Sequence, residues 1–117
     1  MKRIALSLLV LAASVIAADH DIDISGFAYD PDTLTVQVGD TVTWINQDSA
    51  AHTVTADNAD FDSGSLAQGE TWSFTFDSTG TWDYHCTFHP MMTAVIIVED
   101  SSAVEDLSWG GVKEQYR

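Results

Sequence analysis

Nine consecutive residues, Tyr84-His85-Cys86-Thr87-Phe88-His89-Pro90-Met91-Met92, constrain this chain more than any other stretch. The only cysteine is followed by His89 and then Met92 in a C-x-x-H-x-x-M spacing. Successive side chains on a strand alternate between faces, so three donors this close together converge only at a turn. Pro90 inside the stretch supports one. A second imidazole has to come from a distant segment, and His52 supplies it on what reads as a neighbouring loop. A thiolate, two imidazoles and a thioether form a soft N/S donor set; a trigonal His₂Cys site with a weak axial Met is the arrangement of blue-copper electron-transfer centres. The spacing selects Met92 over Met91. A single cysteine excludes an intrachain disulfide, and in an exported chain a free thiol is a reactive liability unless something occupies it.

From Asp21 onward, short alternating runs are punctuated by Gly, Asp, Asn and Ser, the pattern of an all-β sandwich. No useful helical period appears. Ile22, Ile24 and Phe27 suggest a first strand, and Leu34, Val36 and Val38 a second. Gly39-Asp40 reads as a turn into the run from Thr41 to Asn46, with Val42 and Trp44 on one face and hairpin pairing expected. The stretch from Asp57 to Gly64 is polar and turn-rich. Trp72, Phe74 and Phe76 alternate, Ser78-Thr79-Gly80 turns the chain, and Trp82, Tyr84 and Cys86 follow. The nearly continuous apolar run from Thr93 to Val98 suits a central strand. Trp44, Trp72, Phe74 and Phe76 read as core that holds the donors still. His85 adjoins Cys86 and on a strand points the other way, so it reads as a non-ligand.

Tyr84 to Met92 closely resembles the C-terminal ligand loop of small type 1 copper proteins of the plastocyanin, pseudoazurin and amicyanin family, and is most similar to the short amicyanin loop. Val38-Gly39-Asp40-Thr41-Val42-Thr43-Trp44-Ile45-Asn46, with Ala51-His52-Thr53-Val54, looks like the same family's first ligand region. The match runs from about Phe27 to Val98. The resemblance implies a cupredoxin-like Greek-key β-sandwich of about seven or eight strands. It implies one copper ion with His52, Cys86, His89 and Met92 as ligands, and electron transfer by Cu(II)/Cu(I) cycling. Two positions depart from the family pattern. Many members carry Asn directly after the first His, where it helps tie the ligand loops together, and this chain has Thr53. Met91 stands where Pro, Phe or Gly is commoner.

At 117 residues the chain has the size of one domain with a real core. Met1-Lys2-Arg3 followed by the apolar run from Ile4 to Ala18 has the layout of a secretory signal and is short for a membrane span. The expected organisation is a leader at 1–18, a cupredoxin domain at 19–100 and a polar tail at 101–117 that carries Trp109. Cleavage is expected after Ala17 or Ala18, giving an exported periplasmic or extracellular protein with no integral span; the alternative is that the segment stays as an uncleaved anchor. Loss of the leader leaves Lys113 and Arg117 against 18 acids, a net charge of −16, and no Lys or Arg lies between Asp19 and Val112. Such a surface excludes nucleic-acid binding and is repelled by anionic lipid. It suits steering toward a redox partner with a basic docking surface, or solubility in high salt.

Phe88, Pro90, Met91 and Met92 surround His89, and if that ring reaches the surface they form a docking patch around the electron's exit. Cleavage after Ala17 would also leave Ala18-Asp19-His20 at the terminus, whose amine, amides and imidazole suit square-planar Cu(II). The leading reading is a monomeric electron shuttle; the alternative is an extracytoplasmic copper carrier or buffer that delivers metal to a cuproenzyme. An enzyme is disfavoured, because His20 and His85 cannot supply a further His-rich centre.

Overall fold

The computed structural model of the chain describes residues 16–100. Residues 1–15, with most of the expected leader, and the tail at 101–117 lie outside the described residues.

Among the described residues there are eight strands: β1 Asp19–Ile24, β2 Tyr29–Asp30, β3 Thr33–Gln37, β4 Thr41–Asn46, β5 Thr55–Ala56, β6 Thr71–Thr75, β7 Gly80–His85 and β8 Thr93–Glu99. One sheet runs β2-β1-β4-β6 and the other β3-β8-β7-β5, so the domain is an all-β sandwich. Period-two sequences place Ile22, Ile24, Val36, Val42, Trp44, Ile96 and Val98 on the inner faces, where they form the buried core with Phe61, Phe76 and Tyr84. Trp72 and Phe74 are only partly buried and pack against that core. The apolar run of β8 takes the inner position expected of it, between β3 in parallel and β7 in antiparallel pairing.

The expected hairpin across Gly39-Asp40 does not form. β3 pairs with β8 in one sheet, whereas β4 pairs with β1 in parallel and β6 in antiparallel fashion in the other. The segment between them is a corner that carries the chain from one layer to the next. Gly39 takes φ 96°, a left-handed conformation that disfavours a side chain. Its N–H donates to the Phe76 carbonyl at 2.7 Å, while Val38 N–H donates to the Glu99 carbonyl at 2.9 Å. The corner is closed by its own turn bond, Asp40 N–H to the Gln37 carbonyl at 3.0 Å, and is tied by these two bonds to the strands of both layers. The first strand also starts and ends earlier in the chain than expected. It ends at Ile24, and Phe27 lies in the following turn at φ 59°.

Asp40 locks this corner. Its buried carboxylate accepts the N–H groups of Gln37 and Ala18 and the Nε2 of His20, each at 2.9 Å. Burial alone would push its carboxyl up, but the Ala18 and Gln37 N–H groups and the His20 ring together hold it below the usual carboxylate range. Because the folded form binds that proton more weakly than the unfolded chain, Asp40 contributes stability at pH values above about 4 that is lost as pH falls through its lowered folded value. Protonation of the other acids relieves surface repulsion and acts the opposite way. The comparison that isolates Asp40 is urea unfolding of the protein and of Asp40→Asn between pH 6 and 3. The difference between the two is expected to shrink as the medium becomes more acid; a constant difference would contradict the assignment.

Candidate metal centre

The site lies at one end of the sandwich, where the loop after β4 meets the loop joining β7 to β8. Asn46, the last residue of β4, shapes the first loop. Its buried side-chain amide donates to the Ala50 and Leu66 carbonyls, both at 2.9 Å, and its Oδ1 accepts from Asp48 N–H at 2.9 Å. His52 is thereby placed inside the protein and exchanges two backbone bonds with Leu66, at 3.1 and 2.8 Å. The second loop closes on itself: Cys86 N–H donates to the Met92 carbonyl at 3.1 Å and Met92 N–H to the His89 carbonyl at 2.8 Å. The tight turn foreseen from the spacing is present, and Cys86 stands fully buried at the end of β7.

Three donor atoms converge. Cys86 Sγ lies 3.7 Å from His52 Nδ1 and 3.6 Å from His89 Nδ1, and the two imidazole nitrogens are 3.2 Å apart. The point equidistant from these three atoms is about 2.0 Å from each, close to the length of a metal–imidazole bond. The donor triangle therefore fits a single ion of first-row size without rearrangement, and its one thiolate and two imidazoles favour a soft or borderline metal such as copper. Burial separates the two methionines. Met92 is 4% exposed against the same end of the core, whereas Met91 is 88% exposed. His89 is partly exposed and His52 is not.

Several supporting residues were not foreseen. His52 Nε2 lies 2.9 Å from the Asp48 carboxylate, a contact that orients the ring with Nδ1 aimed at the donor triangle. Asp48 also accepts Gly26 N–H at 2.8 Å and Phe27 N–H at 2.9 Å. These contacts, led by the Phe27 N–H, hold its carboxyl below the usual range against the smaller effect of burial. Phe27, anchored in this way, sets its ring edge-on to both histidines, with centroids 5.0 Å from His52 and 4.9 Å from His89.

Thr53 ties the two loops together in place of the expected Asn. Its N–H points at Cys86 Sγ at 3.4 Å and its hydroxyl accepts Thr87 N–H at 2.8 Å. The Thr53 carbonyl in turn accepts the Tyr29 hydroxyl at 2.6 Å. Burial pushes the Tyr29 phenol, and the Cys86 charge pushes it further, far above its ordinary range, so this donor stays protonated.

The remaining histidines stand apart from the triangle. His85 turns outward to Asp57, with Nδ1 to Oδ1 at 2.6 Å, as alternation on β7 requires. The terminal chelate considered for Ala18-Asp19-His20 is not laid out for a metal. Ala18 N and His20 Nε2 both already reach Asp40, and β1 is paired along β4 from Asp19 onward.

A two-sheet sandwich with a buried mononuclear Cys/His site between loops at one end defines the class: a cupredoxin-type metalloprotein. Residues 16–99 match the family model of copper-binding proteins of the plastocyanin/azurin family. Amicyanin from Paracoccus denitrificans is 38% identical over 98 residues, which cover 75% of this chain and 71% of that one. Plastocyanin from Scenedesmus fuscus is 31% identical over 78 residues, 57% of this chain and 80% of that one. Halocyanin from Natronomonas pharaonis is 39% identical over 82 residues, 64% of this chain and 50% of that one. The solved structure of a reduced point mutant of amicyanin superposes with a TM-score of 0.66 at 36% identity, over 75% of this chain and 89% of that one. A copper-containing nitrite reductase from Thermus scotoductus shares the fold alone, with a TM-score of 0.68 at 24% identity over 25% of its length. The chain belongs to the plastocyanin/azurin family of copper-binding proteins.

Proposed function

We propose that this protein is an exported, monomeric, single-copper electron carrier in which His52, Cys86, His89 and Met92 hold the ion. The observation that carries the reading is the preformed triangle of His52 Nδ1, Cys86 Sγ and His89 Nδ1, with edges of 3.2 to 3.7 Å. Copper bound there supplies one-electron chemistry by cycling between Cu(II) and Cu(I). The protein's part is to keep its donors still. Thr53 N–H steadies the sulfur, Asp48 fixes the His52 ring, and the short hydrogen-bonded loop from Cys86 to Met92 fixes the rest. A frame that rearranges little between oxidation states keeps the cost of electron transfer low. On this reading the chain is not itself an enzyme, since four protein donors leave no open position for a substrate.

His89 is the natural exit for the electron. It is partly exposed and ringed by exposed Phe27, Phe88, Pro90 and Met91, an apolar patch suited to brief contact with a redox partner. The strongly acidic remainder of the surface favours a partner with a basic face. The association rate is expected to fall steeply as ionic strength rises, read by stopped-flow electron transfer to a basic redox protein. A rate insensitive to salt would assign the acidity to solubility instead.

The copper-carrier alternative shares the same ligands and is separated by kinetics. With the reduced protein mixed with an apo acceptor or a Cu(I) chelator, and in parallel with its own oxidised form, electron exchange is expected to finish long before copper leaves. Copper release as fast as electron exchange would favour the carrier.

A further inference from the structure

The Asp40 corner holds a buried carboxylate that the metal site does not use. Its side chain is 4% exposed, and its only ionisable partner among the described residues is His20. No Lys or Arg occurs between Asp19 and Val112 to neutralise it. A buried carboxylate is costly without a cation or a full set of donors. Its third donor is the nitrogen of Ala18, 2.9 Å from Oδ1. The Ala18 carbonyl is pinned as well, accepting Thr41 N–H at 3.0 Å. One residue earlier the chain leaves the body: Ala17 is exposed and Ile16 is 87% exposed. Among the described residues, the first backbone nitrogen held by the domain is therefore that of Ala18.

We propose that the leader is removed between Ala17 and Ala18, and that the new α-ammonium group of Ala18 docks on the Asp40 carboxylate beside His20 as a second basic partner. An export-associated endopeptidase would hydrolyse the Ala17–Ala18 peptide bond. Water supplies hydroxyl to the Ala17 carbonyl carbon, which departs with the leader as a carboxylate, and protons to the Ala18 nitrogen, which becomes the ammonium. Cleavage here puts Ala17 and Val15 at the positions where a leader peptidase requires small residues. Cleavage one residue later would put the bulkier Ile16 at the outer of the two, and would remove the Ala18 nitrogen and carbonyl from the corner. The inference rests on the leader reading of the first 17 residues and is independent of copper.

The test is to express the full chain in an exporting bacterial host and measure the intact mass and N-terminal sequence of the secreted product. The expected product begins at Ala18; one that begins at Asp19, or that retains the leader, overturns the proposal. The docking is tested by thermal unfolding at neutral pH of the Ala18-initiated protein against a version with one extra residue before Ala18. The extension keeps an N–H at that nitrogen and moves the positive charge one residue farther along the chain. The native terminus is expected to melt higher, and the gap to close when both carry Asp40→Asn. Equal melting of the two in the parent background, or a gap unchanged by Asp40→Asn, would overturn the docking.

Discussion

Trp44→Ala is expected to cost about 3 to 5 kcal/mol, the range for truncating a fully buried large aromatic side chain. Trp44 sits in the middle strand pair of its sheet with no exposed surface, and its ring contacts Trp72 at 5.5 Å, Tyr84 at 5.6 Å and Phe61 at 6.2 Å between centroids. Its Nε1–H donates to the Tyr84 hydroxyl at 3.1 Å, a bond between the two sheets. Truncation would leave a cavity and remove that donor from a buried phenol two residues before Cys86. Total stabilities of domains this size are about 5 to 15 kcal/mol, so the variant should be unfolded in a substantial fraction or melt far below the parent. Urea unfolding followed by circular dichroism measures it. Trp44→Phe, which keeps a ring in the core, should lose clearly less. A loss below about 1 kcal/mol for Trp44→Ala would mean that Trp44 does not organise the core.

The second large effect is expected at Asp48. One carboxylate gathers three donors from two segments: Oδ1 receives Gly26 N–H, and Oδ2 receives both Phe27 N–H and His52 Nε2. Asp48→Ala removes the partner that orients the His52 ring and the anchor that holds Phe27 over both imidazoles. Loss of such a partner behind a metal-binding histidine lowers metal affinity by about 10- to 100-fold. Two donors at the Gly26–Phe27 turn lose an ionised acceptor as well, worth about 1.5 to 3 kcal/mol each before discounting for partial exposure. A folding loss of about 2 kcal/mol is therefore expected. Asp48→Asn keeps an acceptor oxygen and should fall between the parent and Asp48→Ala in copper affinity, measured by competition with a chromophoric chelator. Parent-like affinity in Asp48→Ala would show that the Cys86–Met92 loop alone fixes the centre.

The framework of the centre was legible because donor chemistry and strand periodicity are local signals. C-x-x-H-x-x-M forces a turn wherever its three donors meet, and the alternation of Val42 with Trp44 or Ile22 with Ile24 marks an inner face whatever sheet the strand joins. Which sheet it joins is not local. The run before Gly39 and the run after Asp40 look like hairpin arms, and only the long-range pairings of β3 with β8 and β4 with β1 reveal a corner. Asp48 was invisible for another reason. In a chain with 18 acids, a single carboxylate carries no signal. Its position four residues before His52 was the one hint available. Phe27 looked like the end of a strand because its left-handed φ is imposed by Asp48 rather than by its own preference. Thr53 shows that the job of an expected side chain can pass to a backbone N–H and a hydroxyl, which a residue-by-residue comparison registers only as a departure.

The central claim is that one copper ion is bound by the Cys86 thiolate together with His52 and His89, with Met92 beside them. The most direct measurement is the visible spectrum of the purified protein reconstituted with one equivalent of Cu(II), recorded beside that of Cys86→Ser. The expected result is an intense sulfur-to-copper absorption in the orange-red that gives a blue solution, bleaches reversibly on one-electron reduction, and is absent from the variant. A colourless copper form of the parent, or a blue colour that survives in Cys86→Ser, would contradict it.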